Sequence, residues 1–201
     1  MTASRRKIHV PEAGNVWFFA YGSLMWDPGF TPVEVRPGLL HGWHRQFCVW
    51  SRHYRGTAEA PGLVLGLDRG GSCRGRVLCV AEPDRGRVFD YLEEREMPEE
   101  IYTCRKLRVE TASGTVDAYG FVVNRDNFLY AGQLAAETIA ARIARCAGNR
   151  GPNVEYLENT VRHLDELNIG DGPMHRLLDM VREARHVKAE NPEKTGQGSV
   201  G

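Results

Sequence analysis

The chain has 201 residues, enough to bury one core of ordinary size without disulfide or metal staples. Lysine plus arginine number 26 and aspartate plus glutamate number 26, so the formal net charge is zero. That balance offers no broad attraction to phosphate backbones or anionic lipid and disfavours a nucleic-acid role.

Residues 1–15 are polar, with Pro11 and Gly14, and read as a loosely held arm. Val16–Trp26 is an apolar, aromatic-rich run that stops abruptly at Tyr21-Gly22-Ser23, the pattern of a buried strand delivering a tight turn at its carboxyl end. Because Gly22 has no Cβ, a ligand can approach the backbone there, and the N–H groups around Gly22, Ser23 and Leu24 form a candidate cradle for a carboxylate or carbonyl oxygen. Read alone, the same segment is more simply an ordinary strand-to-loop turn capped by Ser23.

Asp27-Pro28-Gly29 and Thr31-Pro32 enforce a loop, after which Leu39–Val49 reads as a strand with Phe47 and Val49 on one face. Ser51–Gly62 is a polar loop, either a solvated connection or a cover over a site entrance. Gly62–Leu67 and Arg74–Ala81 are short apolar runs separated by Asp68-Arg69-Gly70-Gly71-Ser72, which predicts a hairpin. Asp84 is placed to cap a helix through Glu94, with Val88, Tyr91 and Leu92 on one face and Pro98 as its stop. Ile101–Val109 and Val116–Val123, joined by Ser113-Gly114, predict a second hairpin and bring the strands to about six.

From Gln133 the period becomes helical. Ile139, Ile143 and Cys146 form one stripe. Gly151-Pro152 opens a helix lined by Val154, Leu157, Val161 and Leu164, and Gly170-Asp171-Gly172 ends it. Leu177, Leu178 and Val181 continue in a last helix before a Gly-, Ser- and charge-rich tail. Strands, one inserted helix, more strands and then helices predict an α+β domain with a mostly antiparallel sheet or partly closed barrel. Neither Gly-x-Gly-x-x-Gly nor a phosphate-binding Gly-Lys-Ser/Thr loop occurs, which disfavours NAD and ATP.

No apolar run approaches the roughly 20 residues that cross a bilayer, and the basic Met1–Val10 lacks the apolar centre of a secretion signal. Five cysteines, with no Cys-x-x-Cys pair, fit free thiols in a reducing compartment, so a cytoplasmic protein without membrane contact is expected. Cys48, Cys79 and Cys104 read as core residues, although a Cys/His nucleophile pair assembled by the fold stays open. His41 and His44 are three apart in a predicted strand and so face opposite ways, which argues against a shared metal. In the acidic run Tyr91–Tyr102, any one glutamate reads first as a solvated helix end. Glu96 differs by position: it lies where a helix stops and a strand begins, so its carboxylate can point over the end of the sheet, where desolvation raises a carboxyl pKa toward the range useful for proton transfer.

Phe19-Ala20-Tyr21-Gly22-Ser23-Leu24-Met25-Trp26, Gly42-Trp43-His44-Arg45-Gln46-Phe47-Cys48, Arg55-Gly56-Thr57, Tyr91-Leu92-Glu93-Glu94-Arg95-Glu96-Met97 and Asn153-Val154-Glu155-Tyr156-Leu157 together resemble the ordered motifs of the ChaC-like γ-glutamylcyclotransferases. With the flexible arm over 1–15 and a disordered tail at 188–201 read from composition, a single domain over 16–187 is expected. The resemblance implies a γ-glutamylcyclotransferase-like mixed β-barrel flanked by helices. It implies cleavage of glutathione to 5-oxoproline and cysteinylglycine, with no metal or organic cofactor, and leaves the oligomeric state open. By motif position Glu96 corresponds to the catalytic glutamate, and Phe19, Ala20, Tyr21, Gly22, Ser23 and Leu24 to the substrate-binding loop. Tyr102 matches a tyrosine that follows the glutamate in bacterial members; many members carry a glycine just before it, where this chain has Glu100-Ile101. Two alternatives accompany this reading: a cyclotransferase for other γ-glutamyl amino acids or amines, and a non-catalytic module that holds a γ-glutamyl ligand.

Overall fold

In the computed structural model, residues 8, 10–97 and 99–190 are described. Most of the expected arm, the Pro98 stop and the tail beyond residue 190 lie outside the described residues. Packing divides the chain into two units, Met1–Val49 with Leu65–Gly132, and Trp50–Val64 with Gln133–Gly201.

The first unit is built on a closed barrel of five strands: β1 (Val16–Ala20), β2 (Glu34–Ser51), β3 (Gly62–Val80), β4 (Tyr102–Thr111) and β5 (Gly114–Val123), in the order β1-β3-β2-β4-β5. The apolar run of β1 is buried on both faces apart from Trp17, and its two edges pair with β3 antiparallel and β5 parallel. Parallel pairing of β1 with β5, about a hundred residues away, closes the barrel. β4 and β5 form the expected hairpin, turning at Gly114 with φ +108°.

The other expected hairpin is corrected. Gly70 and Gly71 do adopt positive φ, 107° and 65°, yet β3 runs unbroken from Gly62 to Val80. Its partner decides the matter: a Cβ on Gly71 would sit 3.6 Å from His44, and one on Gly66 would press on Cys48 and Val49, so β2 runs antiparallel alongside β3 past the glycine pair. The two predicted short strands are therefore one, and β2 starts at Glu34 rather than Leu39.

α1 (Arg85–Glu96) follows a 3₁₀ turn at Glu82–Asp84 and packs Val88, Phe89 and Leu92 inward. Phe89 meets Phe18 of β1 and Tyr119 of β5 edge-on, each at 4.9 Å between ring centroids. This aromatic cluster fixes the helix against the start of the barrel and so fixes where its last residue falls. Asp84 does not cap the helix through its side chain, which instead pairs with Arg87 at 3.0 Å.

The second unit contains α2 (Ala136–Arg145), two-residue strands β6 (Ala147–Gly148) and β7 (Gly151–Pro152), α3 (Asn153–Glu166) and α4 (Gly172–Glu190). Pro152 precedes α3 rather than opening it, and Val154, Leu157, Val161 and Leu164 are all buried, as their spacing predicts. Asn153 is fully buried and spends its amide on one peptide, accepting from Leu63 N–H at 2.7 Å and donating to Leu63 C=O at 2.8 Å. Arg55 donates to Pro152 C=O and lies over the Tyr156 ring, while a Cβ on Gly56 would come within 2.0 Å of Gly62 N. The Arg55-Gly56-Thr57 and Asn153–Leu157 motifs thus do structural work, closing the 51–62 loop on the head of α3. Among the described residues no helix is long and apolar enough to cross a membrane.

Candidate active site

The strand β1 ends at Ala20, and the chain turns through a 3₁₀ turn at Ser23–Met25 whose first internal bond is Met25 N–H to Gly22 C=O at 2.8 Å. The N–H groups of Ser23 and Leu24 precede that bond and have no acceptor within the turn. Phe19 and Ala20 are buried in the barrel wall, and Tyr21 and Leu24 nearly so, which leaves Gly22 and Ser23 as the accessible part of the turn. Gly22 has φ −134°, and a Cβ placed on it would find its nearest protein atom, Leu65 Cδ1, at 3.7 Å. Packing does not demand glycine there; what its missing methyl leaves open is room for another molecule.

Three arginines from three elements hold this turn. Buried Arg45, on β2, donates from Nε to Tyr21 C=O at 2.5 Å and from Nη2 to Arg74 C=O at 2.8 Å. A trans peptide points its C=O and N–H opposite ways, so this grip turns the Gly22 N–H away from Arg45. Arg76, which pairs with Ala20 across β1 and β3, donates to Met25 C=O at 3.2 Å. Arg95, on α1, donates to Asp27 C=O at 2.8 Å and to Ser23 Oγ at 3.1 Å.

The Arg95 guanidinium also brings in the predicted carboxylate, with Nε 3.2 Å from Glu96 Oε1. Glu96 is the last residue of α1, and its side chain is 18 % exposed, whereas Glu94, Glu99 and Glu100 of the same acidic run are exposed. Burial pushes its carboxyl above the ordinary value, and Arg95 pulls the other way without cancelling the rise. Carbonyls at the C-terminal end of α1 act in the same sense as burial. One planar guanidinium thereby touches both Glu96 and Ser23, which places the carboxylate and the turn within one small-molecule span.

Tyr102 opens β4, and its hydroxyl donates to Leu65 C=O at 2.5 Å. Its phenol proton is therefore directed at the barrel wall. Glu100, two residues before Tyr102, takes φ +56°, the left-handed conformation that glycine adopts freely.

The other candidates sit differently. His41 faces Glu110 at 3.3 Å, and His44 bonds Gln46 at 2.6 Å and Gly70 C=O at 3.0 Å. Burial pushes the Cys48 and Cys104 thiols up to about 12, far from the thiolate a nucleophile requires. A cleft of about 550 Å³ in the second unit, lined by Arg52, His53, Thr57 and Asn149, contains neither Glu96 nor the turn. Sequence reading did not single out Arg45, Arg76 or Arg95: their targets lie 24, 51 and 72 residues away, and although Arg45 and Arg95 fall inside quoted motifs, Arg76 falls in none.

A family model described as ChaC-like protein matches residues 16–184. A glutathione-specific γ-glutamylcyclotransferase of Escherichia coli (strain K12) is 35% identical over 182 residues, covering 90% of this chain and 78% of that protein. Glutathione-specific γ-glutamylcyclotransferase 1 of Homo sapiens is 31% identical over 152 residues, covering 73% of this chain and 68% of its own. Among solved structures, a γ-glutamyl cyclotransferase specific to glutathione from yeast superposes with a TM-score of 0.78 at 22% identity, over 87% of this chain and 99% of that one, a likeness of fold.

Proposed function

The chain belongs to the ChaC-like family, and from that premise we propose that it is a γ-glutamylcyclotransferase that splits glutathione into 5-oxoproline and cysteinylglycine. The observation that carries the reading to particular residues is the Arg95 guanidinium shared by Glu96 and Ser23.

The substrate supplies its own nucleophile. The α-amine of the γ-glutamyl group attacks the γ-carbonyl carbon, a C–N bond forms to close a five-membered lactam, and the C–N bond to cysteine breaks, with no water consumed. The protein has to fold the substrate so that amine and carbonyl meet; holding such geometry removes on the order of 7 kcal/mol or more of barrier in favourable cases. At neutral pH the amine is mainly ammonium. Glu96 accepts its proton and returns one to the departing nitrogen, which would otherwise leave as a very poor anion. A carboxyl raised by burial suits both halves of that shuttle better than an ordinary one. The N–H groups of the Gly22–Leu24 segment grip a substrate carboxylate or the oxyanion formed on the γ-carbonyl, each well-placed donor contributing roughly 3 kcal/mol. Five free thiols fit the same reading, with the reaction run in the cytoplasm.

The test is incubation of purified protein with glutathione and, separately, with other γ-glutamyl amino acids and amines, following 5-oxoproline by mass spectrometry with Glu96→Gln alongside. Glutathione should yield both products, and the variant should lose roughly 10²- to 10⁴-fold in rate. Product from γ-glutamyl amines but not from glutathione would reassign the substrate. Saturable binding by calorimetry with no product from any of them would replace the enzyme with a binding module.

A further inference from the structure

Arg95 and Glu96 are adjacent on α1, and neighbouring residues of a helix ordinarily point about 100° apart. Here their side chains meet at 3.2 Å, which requires the Arg95 side chain to be held away from solvent. Every nitrogen of its guanidinium is engaged. Nη1 donates to Asp27 C=O and to Tyr91 Oη, both at 2.8 Å; Nη2 donates to Ser23 Oγ at 3.1 Å; Nε faces Glu96. Tyr91, one turn earlier, also lies under the guanidinium, 6.0 Å from ring centroid to Cζ. Tyr91 is itself locked: its hydroxyl lies where a Cβ on Gly29 would be, 2.0 Å away, and Gly29 takes φ +75° to allow it. The loop from Ser23 to Gly29 is thus keyed onto the last two turns of α1 through one planar fork.

We propose that Arg95 is the positioning residue of this site, fixing the Glu96 carboxyl relative to the Ser23 turn, with Tyr91 and Gly29 holding Arg95 in place. The inference rests on the reading of Glu96 as the proton carrier. Two consequences follow for the chemistry. Glu96 Oε1 is occupied by Nε, so Oε2 is the oxygen that exchanges protons with the substrate. Ser23 Oγ accepts from Nη2, so its own hydrogen is turned outward, toward a substrate oxygen.

Charge and geometry can be separated. The charge acting on Glu96 is that of Arg95, the other ionisable group on the guanidinium is the Tyr91 phenol on the same helix, and the facing loop contributes only a hydroxyl and a carbonyl. Arg95→Gln removes cation and fork together. Its Glu96 carboxyl then holds its proton to higher pH, so the acidic limb of the kcat/KM profile moves upward, and kcat falls roughly hundred-fold, the scale of a 1 Å misplacement. Arg95→Lys keeps a cation without the fork: the acidic limb stays near that of the wild type while kcat still falls at least ten-fold. Tyr91→Phe, which removes one acceptor, gives a loss of a few-fold.

The experiment is a set of pH–rate profiles on glutathione for wild type, Arg95→Gln, Arg95→Lys, Tyr91→Phe and Glu96→Gln, each with a thermal melt. A shifted acidic limb in Arg95→Gln, and its absence in Arg95→Lys, support the proposal, as does little added loss when Arg95→Gln is placed on Glu96→Gln. If Arg95→Gln does not fold, Arg95→Lys carries the test alone, and wild-type kcat in that variant overturns the proposal. A folded Arg95→Gln with an unmoved limb and undiminished kcat overturns it as well. Should Glu96→Gln keep its rate, the reading of Glu96 falls; should Glu96→Gln be inactive and the Arg95 variants normal, only the positioning role falls.

Discussion

Replacing Gly22 with alanine separates a turn that merely ends a strand from one that receives a ligand. A methyl group at this position meets Leu65 Cδ1 at 3.7 Å, an ordinary van der Waals distance. No side chain has to move to admit it, so the variant should fold, and its melt reports any cost of the backbone change separately from the rate. A ligand carboxylate or oxyanion, by contrast, has to come within hydrogen-bond reach of the neighbouring N–H groups, and the methyl group stands in that approach. Losing one hydrogen bond to a charged group costs about 1.5–3 kcal/mol, which is roughly ten- to hundred-fold in kcat/KM. Gly75→Ala serves as the contrast, since its methyl group would sit 2.3 Å from Ala20 C=O and should damage the barrel itself. The assay is the initial rate of 5-oxoproline release across glutathione concentrations, with thermal melts of both variants. Gly22→Ala with wild-type kcat/KM and a wild-type melt would refute the cradle.

Three further outcomes follow from the same structure. Burial raises the Glu96 carboxyl above its ordinary 4.5, so the folded state favours the protonated form and loses stability as pH rises from 4.5 through the folded value; Glu96→Gln should melt above wild type at pH 8, with the difference vanishing below about pH 4.5. Asp68 is 1 % exposed; although burial alone would raise its carboxyl, the Arg125 and Tyr130 hydrogen bonds, at 2.7 and 2.8 Å, hold it below its ordinary 3.8. Because Arg125 is partly open to solvent, Asp68→Asn should cost about 2–3 kcal/mol by urea unfolding at pH 7, less than a fully buried pair. That stability is present above pH 3.8 and is lost as pH falls through the folded value, so the gap between wild type and variant should close in acid. With the Cys48 and Cys104 thiols pushed up to about 12, brief iodoacetamide treatment at pH 8 should leave turnover intact, and rapid inactivation would restore a thiol mechanism.

What could be read in the sequence was whatever is decided locally. The Val16–Ala20 run announced a strand buried on both faces, the Ser113-Gly114 pair announced the β4–β5 turn, and the spacing of Val154, Leu157, Val161 and Leu164 announced the buried face of α3. Glu96 stood out from the other glutamates because a helix-to-strand junction is a place where a carboxylate is partly shielded. What could not be read was decided by partners far along the chain. Gly70 and Gly71 carry the torsion angles of a turn, but pairing with β2 keeps the strand going, and no local pattern encodes that pairing. Closure by β1 and β5 and the three arginine grips on the Tyr21–Asp27 turn are likewise properties of the assembled barrel. Long flexible side chains reach targets that sequence spacing does not reveal.

If the γ-glutamyl amine, and not water, breaks the bond to cysteine, no atom of solvent water enters either product. Running the wild-type reaction on glutathione in ¹⁸O-labelled water and weighing the products tests it directly. Intramolecular attack predicts 5-oxoproline and cysteinylglycine in equal amounts, with no label in either. Glutamate carrying one ¹⁸O atom in its side-chain carboxylate would show that water was the nucleophile and would contradict the account.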